Sequence, residues 1–192
     1  MKVVFKNFIH TNEYEKKLIL EWRNSDRIRQ NMINQDIIIY ENHVKWIERL
    51  KTKEDAKYYL CIIDDKPVGV YDYTSIEAQH KKAEWGFYVG EEGLGFGVLM
   101  EYLGIKHFFE DMKFNRLCAI VLEHNIKTYN IHKNNFLFKD EGFLRDYLII
   151  NEKFIGAYLM SMLKREYFEA TKNKIEPMIN KFYGKIEVLW QD

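Results

Sequence analysis

The sequence predicts a mixed α/β (α+β) fold, a central mixed sheet of about seven strands flanked by helices. Two observations carry this. YYLCIIDDKPVGVYDYTSI, starting at Tyr58, sets β-branched and aromatic runs on both sides of an Asp-Asp-Lys-Pro turn cluster, the pattern of an antiparallel hairpin. Beyond it, apolar strand-like runs alternate with amphipathic helical stretches, which places helices on the faces of a sheet.

Val3 to Ile9 reads as the opening strand, and Thr11-Asn12 as a helix cap. Leu18, Ile19, Leu20 and Trp22 then form the apolar face of a helix over Glu13 to Trp22, and Asp26 to Met32 makes a short second helical piece. Val44, Ile47 and Leu50 recur at helical spacing over Glu41 to Leu50. After the hairpin, Ala83 to Val89 is a strand ending at Gly90, followed by a glycine cluster and a helix from about Gly97 to Asp111. LCAIVL is a buried strand, Ile126 to Asn134 a helix, and Leu144 to Ile150 and Phe154 to Leu163 are two strands around Asn151-Glu152. The tail from Lys172 to Asp192 is charged, contains Pro177, and reads as an appended helix or interaction segment.

The chain of 192 residues suits one domain with a substantial core. Lys plus Arg and Asp plus Glu are both 29, so no net field favours nucleic acid or an acidic membrane. The amino-terminal segment lacks the apolar run of a signal peptide, and no stretch approaches the ~20 apolar residues of a membrane span. Cys61 and Cys118 lie inside apolar strand runs and read as reduced core thiols, which points to a cytoplasmic protein. The six histidines show no pairing with cysteine that suggests a metal, so none is expected.

Gly93, Gly95 and Gly97 stand between an apolar strand and an amphipathic helix. Glycine lets a backbone turn with its N–H groups inward, and a helix start adds unpaired donors and the positive end of its dipole. A pyrophosphate suits such a cradle. The spacing G-x-G-x-G is not the dinucleotide fingerprint, and no Walker lysine follows, so nucleotide redox chemistry and P-loop phosphotransfer are disfavoured.

At these residues the chain resembles the GNAT acetyltransferases, whose pyrophosphate loop reads Gln/Arg-x-x-Gly-x-Gly/Ala. Glu92-Gly93-Leu94-Gly95-Phe96-Gly97 fits except at its first position. The stretch from Asn125 to Asp146 resembles the family's Asn-led helix followed by Gly-Phe-x-x-Glu-Gly, with Phe136-Leu137-Phe138 where Phe-Gly-Phe is usual and one residue added near Asn134-Asn135. The resemblance implies the acyl-CoA N-acyltransferase fold, with a mostly antiparallel twisted sheet, as a single domain over 1–168 followed by an extension over 169–192. It implies acetyl-CoA as acetyl donor. Contacts would come from Phe87, Tyr88 and Val89 along the acyl arm and from Gly93, Leu94, Gly95, Phe96, Gly97 and Val98 at the pyrophosphate.

Acetyl transfer to an amine needs an unprotonated nucleophile, donors for the developing oxyanion and a proton for the departing thiolate. Asn125, Tyr129 and His132 fall on one face of the predicted helix, a stripe that a shared ligand would explain. The resemblance places His132 where many members carry a thiolate-protonating Tyr, with Lys133 or Tyr129 as replacements. Glu84 and Glu123 are the candidate bases.

LEWRN (from Leu20), ENHVKWIERL (from Glu41) and KFIGAYLMSMLKREY (from Lys153) are similar to a subgroup containing the N-acetyltransferases of the pseudaminic acid pathway. These acetylate the 4-amino group of a UDP-linked 4-amino-4,6-dideoxy sugar. By this resemblance Arg23, His43, Trp46, Thr74 and Ser75 are candidates for the nucleotide-sugar pocket. Arginine offers a fork to a diphosphate, tryptophan a stacking face, and the hydroxyls adaptable hydrogen bonds. Acetylation of a protein amino terminus, as in ribosomal-protein acetyltransferases, and a non-catalytic acyl-CoA-binding module are the alternatives. The aromatic-rich carboxy-terminal segment makes a homodimer an open expectation.

Overall fold

Alternation along the strands divides the apolar residues between two faces of one sheet. The computed structural model describes residues 1–91, 93 and 95–192. In chain order the elements are β1 (Lys2–Asn7), α1 (Glu13–Asn24), α2 (Asp26–Arg29), α3 (Tyr40–Leu50), β2 (Lys57–Ile63), β3 (Lys66–Glu77), β4 (Lys82–Val89) and α4 (Phe96–Lys106). Then come β5 (Arg116–Leu122), α5 (Ile126–Asn130), β6 (Lys139–Ile150), β7 (Lys153–Leu163), α6 (Lys164–Glu166), α7 (Lys172–Tyr183) and β8 (Glu187–Gln191). The sheet runs β6-β7-β5-β4-β3-β2-β1-β8. Its neighbours are antiparallel except β4–β5 and β1–β8, which are parallel.

Local chemistry explains the ends of these elements. Asn12 caps α1 by accepting from the Glu15 amide at 2.9 Å, while the Glu15 carboxylate accepts from the Asn12 amide at 2.8 Å. Asp64 and Asp65 (φ 46° and 65°), and Asn151 and Glu152 (φ 49° and 64°), take the left-handed pairs that close two-residue hairpins. On one face Tyr71, Tyr73 and Trp85 are buried with Leu99, Leu103 and Phe108 beneath α4. On the other, Leu60 and Val70 meet Phe8, Ile19, Trp22 and Ile47. Gly104 lets α4 lie flat on the sheet, because a Cβ there would come within 2.0 Å of the Tyr71 ring.

The tail departs most from the sequence reading. The sheet has eight strands rather than about seven, and the added one is β8, contributed by a segment read as a helix or interaction segment. Trp190 of β8 stacks at 3.9 Å on both Phe5 and His107, so one aromatic anchors the strand to the core. Pro177 lies inside α7 rather than ending it. Two helices end differently from the reading. After α4, residues His107–Asp111 form a π-helical turn, and Ile131–Asn135 form another after α5. A π turn absorbs one added residue, which accounts for the insertion noted near Asn134-Asn135. Cys61 is buried, whereas Cys118 is only half-buried; both are free thiols. Among the described residues no helix is long and apolar enough to cross a membrane.

For function the decisive feature is the parallel pair at the middle of the sheet. β4 and β5 pair only through Lys82–Arg116, Ala83–Leu117 and Glu84–Cys118. Beyond that point β4 continues to Val89 and β5 to Leu122 with no pairing between them. The sheet opens there.

Candidate active site

The parted strands form the centre of a cleft of about 1210 Å³. Trp85, Gly86, Phe87, Tyr88 and Val89 of β4 line one wall, and Ala119, Ile120, Val121 and Leu122 of β5 the other. Strand edges facing each other without pairing leave backbone N–H and C=O groups for a ligand to satisfy. An extended, amide-bearing chain fits such a gap as a surrogate strand.

At one end of the gap lies the glycine loop. Gly93 (φ 84°) and Gly95 (φ 68°) are left-handed, and among the described residues, chain neighbours aside, a Cβ on either would meet no atom within 4 Å. Backbone conformation, not crowding, therefore demands glycine at these two positions. Gly95 is the N-cap of α4, and among the described residues no side-chain cap hydrogen bond is made to the amide donors at that helix start. Those donors and the helix dipole face the cleft that Gly93, Gly95, Phe96, Gly97 and Val98 line. Two contacts hold the loop from outside: the Tyr183 hydroxyl of α7 donates to the Gly95 carbonyl at 3.0 Å, and Arg27 donates to the Val89 and Gly90 carbonyls at 3.0 and 2.6 Å. Glu92 and Leu94 lie outside the described residues.

Beneath the open strands His132 is buried against the rings of Trp85 and Phe138, and it lines the cleft. Its Nδ1 is 2.7 Å from Oε1 of Glu101, a wholly buried residue of α4. Burial pushes the Glu101 carboxyl up, and the neighbouring imidazole opposes that rise. The second oxygen, Oε2, has no partner among the described residues. With Glu101 ionised the bond runs from Nδ1–H to the carboxylate, which fixes the ring and leaves Nε2 as the nitrogen able to exchange a proton.

The opposite end of the cleft is built by α1, α2, α3 and the 30–39 loop. Arg23 donates through Nη2 to the Asn34 carbonyl at 2.5 Å, while its Nη1 is buried without a partner among the described residues. Burial lowers its pKa, which reflects the desolvation of a cation that an anion would offset. Asn24 holds the same loop reciprocally, donating to the Ile38 carbonyl at 2.8 Å and accepting from its amide at 2.9 Å. Trp46 meets Tyr58 edge to face at 4.8 Å, beside His43. Burial lowers the His43 pKa, which keeps its ring neutral near pH 7, and its Nε2 also lacks a partner among the described residues.

Arg23, His43, Trp46, Thr74, Glu84, Phe87, Tyr88, Val89, Asn125 and His132 thus come together around one cleft with the loop glycines. Glu123, Tyr129 and Ser75 are not among its lining residues. The Glu123 carboxylate lies near Gly156 of β7, and Ser75 is exposed at a bulge of β3. Tyr129 stacks on Tyr158 at 4.1 Å and accepts from Lys133, because the π turn breaks the helical stripe that put it beside His132. The sequence reading missed Glu101, Arg27 and Asp72, all of which line the cleft. Among the described residues no cluster of His, Cys, Asp and Glu is placed to hold a metal ion.

Comparison with known proteins bears on this geometry. The model of the acetyltransferase (GNAT) domain matches residues 9–135. The acetyltransferase PseH of Campylobacter jejuni (strain 81-176) is 33% identical over 140 residues, spanning 72% of this chain and 87% of the relative. The crystal structure of Campylobacter jejuni PseH in complex with acetyl coenzyme A is similar at TM-score 0.63 and 27% identity, over 84% of this chain and 98% of that one. The spermidine N-acetyltransferase of Vibrio cholerae, in complex with CoA and spermine, gives TM-score 0.78 at 15% identity over 86% and 98%, a likeness of fold alone. A split sheet with a glycine loop at the head of a helix is therefore, in this chain, the cleft of an N-acetyltransferase, and the chain belongs to the GNAT acetyltransferase family.

Proposed function

We propose that this enzyme transfers the acetyl group of acetyl-CoA to the 4-amino group of a UDP-linked 4-amino-4,6-dideoxy sugar, by direct attack with both substrates bound. The observation that carries this reading is the continuity of the cleft: the glycine loop and strand gap line it together with Trp46, Tyr58 and Arg23, whose Nη1 has no partner among the described residues. A half-buried guanidinium whose Nη1 has no partner among the described residues suits a diphosphate, and the aromatics suit a pyrimidine face. The relatives named PseH and the similarity of LEWRN and ENHVKWIERL to the pseudaminic acid group support the same acceptor. A loop that closes over Arg23 and is tied to Asn24 favours a small nucleotide sugar over a peptide amino terminus.

In this reading the amides of Gly95 and the head of α4 hold the pyrophosphate, and the β4 edge from Phe87 to Val89 hydrogen-bonds the pantetheine arm and polarises the thioester carbonyl. His132, oriented by Glu101, gives the departing sulfur its proton from Nε2. Thr74 and Glu84, cross-strand partners on β3 and β4, face the sugar. Calorimetry with UDP tests the acceptor end. UDP should bind the CoA complex, and Arg23→Leu should weaken that binding by about 10-fold or more, the loss of one charged hydrogen bond. No UDP binding in the presence of CoA would remove the nucleotide-sugar reading.

A further inference from the structure

The middle of β3 carries a carboxylate that none of the roles above uses. Tyr71 and Tyr73 point under α4 and are wholly buried, so Asp72 between them faces the α1 and α3 side, with Val70 and Thr74. Register sets Asp72 opposite Gly86 and Thr74 opposite Glu84. Because residue 86 has no side chain, β4 does not cover the carboxylate; a Cβ there would lie 3.3 Å from Oδ2. Gly86 is also two residues beyond Glu84, whose pairing with Cys118 is the last before β4 and β5 part. Asp72 therefore opens onto the cleft beside the gap itself, whereas Glu84 sits where the sheet is still closed.

Among the described residues Asp72 makes no hydrogen bond and no ion pair. The titratable groups sharing its cleft are Tyr58 of β2, Glu84 and Tyr88 of β4, Glu91 beyond it, Arg23 of α1, Arg27 of α2, His43 of α3, Glu101 of α4, Lys127 of α5 and His132. Burial pushes the Asp72 carboxyl up to about 8. An unpaired carboxyl in an enzyme that must take an ammonium and make it a nucleophile has an evident partner.

We propose that Asp72 receives the acceptor ammonium and takes its proton before the amine attacks the thioester. The sugar, or any other amine acceptor, enters as R–NH3⁺ and pairs with the carboxylate. One N–H bond breaks, its proton goes to Asp72, and the nitrogen keeps the electron pair. That pair forms the C–N bond to the thioester carbon, and the carbonyl π pair moves to oxygen. Collapse re-forms the carbonyl and breaks the C–S bond. The second nitrogen proton balances the proton that the thiolate gains through His132. Asp72 ends the cycle protonated and loses that proton to solvent. Proton affinities of the carboxyl and the amine are close, so the transfer is nearly balanced, the condition in which a general base works best.

The inference rests on amine acetylation by this cleft, not on the identity of the sugar, and its test keeps the two apart. Activity of the wild-type enzyme is first established on a panel of amines, and the variants are then compared on whichever amine it accepts. Asp72→Asn should lower kcat/KM for the acceptor by about 100-fold or more at pH 7, the range of general base catalysis, with KM for acetyl-CoA unchanged. Its rate should recover with rising pH as the free amine increases, while Glu84→Gln keeps the wild-type pH profile. An Asp72→Asn enzyme within threefold of wild type, or a loss confined to Glu84→Gln, overturns the assignment. A variant that fails to fold leaves a direct measurement on the wild-type protein. The Asp72 carboxyl carbon, followed by NMR without acceptor, should titrate near pH 8, and titration in the ordinary carboxylate range overturns the proposal as well.

Discussion

Replacing Glu101 by Gln separates the chemical role of the buried dyad from any structural one. Glu101 is 0% exposed, one oxygen accepts from His132 at 2.7 Å, and the other has no partner among the described residues. A hydrogen bond to a charged group contributes about 1.5–3 kcal/mol and a neutral one about 0.5–1.5, so the substitution weakens this bond by about 1 kcal/mol. Removing a buried charge that is only half satisfied works in the opposite direction, by a similar amount. The two nearly cancel. Since 1 kcal/mol moves Tm by about 2–4 °C in a domain of this size, the melting temperature should stay within about 4 °C of wild type. Activity should not. Without the carboxylate, His132 loses its fixed tautomer and orientation, and kcat should fall about 10- to 100-fold. KM for acetyl-CoA should be unchanged, because Glu101 is kept from the pyrophosphate cradle by its place beneath the β4 wall. Steady-state thiol release and a thermal melt measure both. A kcat within twofold of wild type would refute the dyad, and a Tm fall of more than about 10 °C would make Glu101 a structural residue.

Other outcomes follow from the same geometry. Gly95→Val forces a β-branched residue to φ 68°, a strain of about 1–2 kcal/mol, and should raise KM for acetyl-CoA about 10-fold or more; unchanged affinity would remove the loop assignment. Tyr183→Phe deletes the hydroxyl that holds the Gly95 carbonyl and should raise the same KM a few-fold with kcat intact, which acetyl-CoA titration would check. Asp72 also predicts a pH dependence of stability. Its folded pKa, about 8, lies above the ordinary carboxylate value, so the folded state binds the proton more tightly and loses stability as pH rises from about 4 to about 8. Asp72→Asn should therefore melt increasingly above wild type across that window, with a constant difference beyond it. A difference independent of pH would contradict the buried-carboxyl account.

Much of the scaffold was legible because its signals are local. The Asp64-Asp65 hairpin, the Asn12 cap and the glycine loop are each written in a few adjacent residues, and the glycines are required by their own φ angles. Long-range contacts were not legible. β8 exists because Trp190 finds Phe5 and His107, partners far away in sequence. The π turn at Ile131–Asn135 turned Tyr129 away from His132, an effect that helical periodicity cannot represent. The same neighbourhood contains Leu137 at φ 66°, where the family resemblance expects glycine, so the substitution left the left-handed turn in place. Two missed residues did leave a trace. Asp72 interrupts the aromatic and apolar run VGVYDYTSI, and Glu101 is the one acid in FGVLMEYLGI. A lone carboxylate in an otherwise apolar element is a conspicuous cost, and in both places it faces the cleft.

The central claim, acetyl transfer to the amine of a nucleotide-linked sugar, is tested most directly by thiol release from acetyl-CoA across an acceptor panel. The panel holds UDP-linked 4-amino-4,6-dideoxy sugars, UDP-sugars lacking the amine, peptides with free amino termini, and spermidine. The account predicts release with the amino sugars and none with UDP-sugars lacking the amine. Release with peptides or spermidine but not with the amino sugars would contradict it.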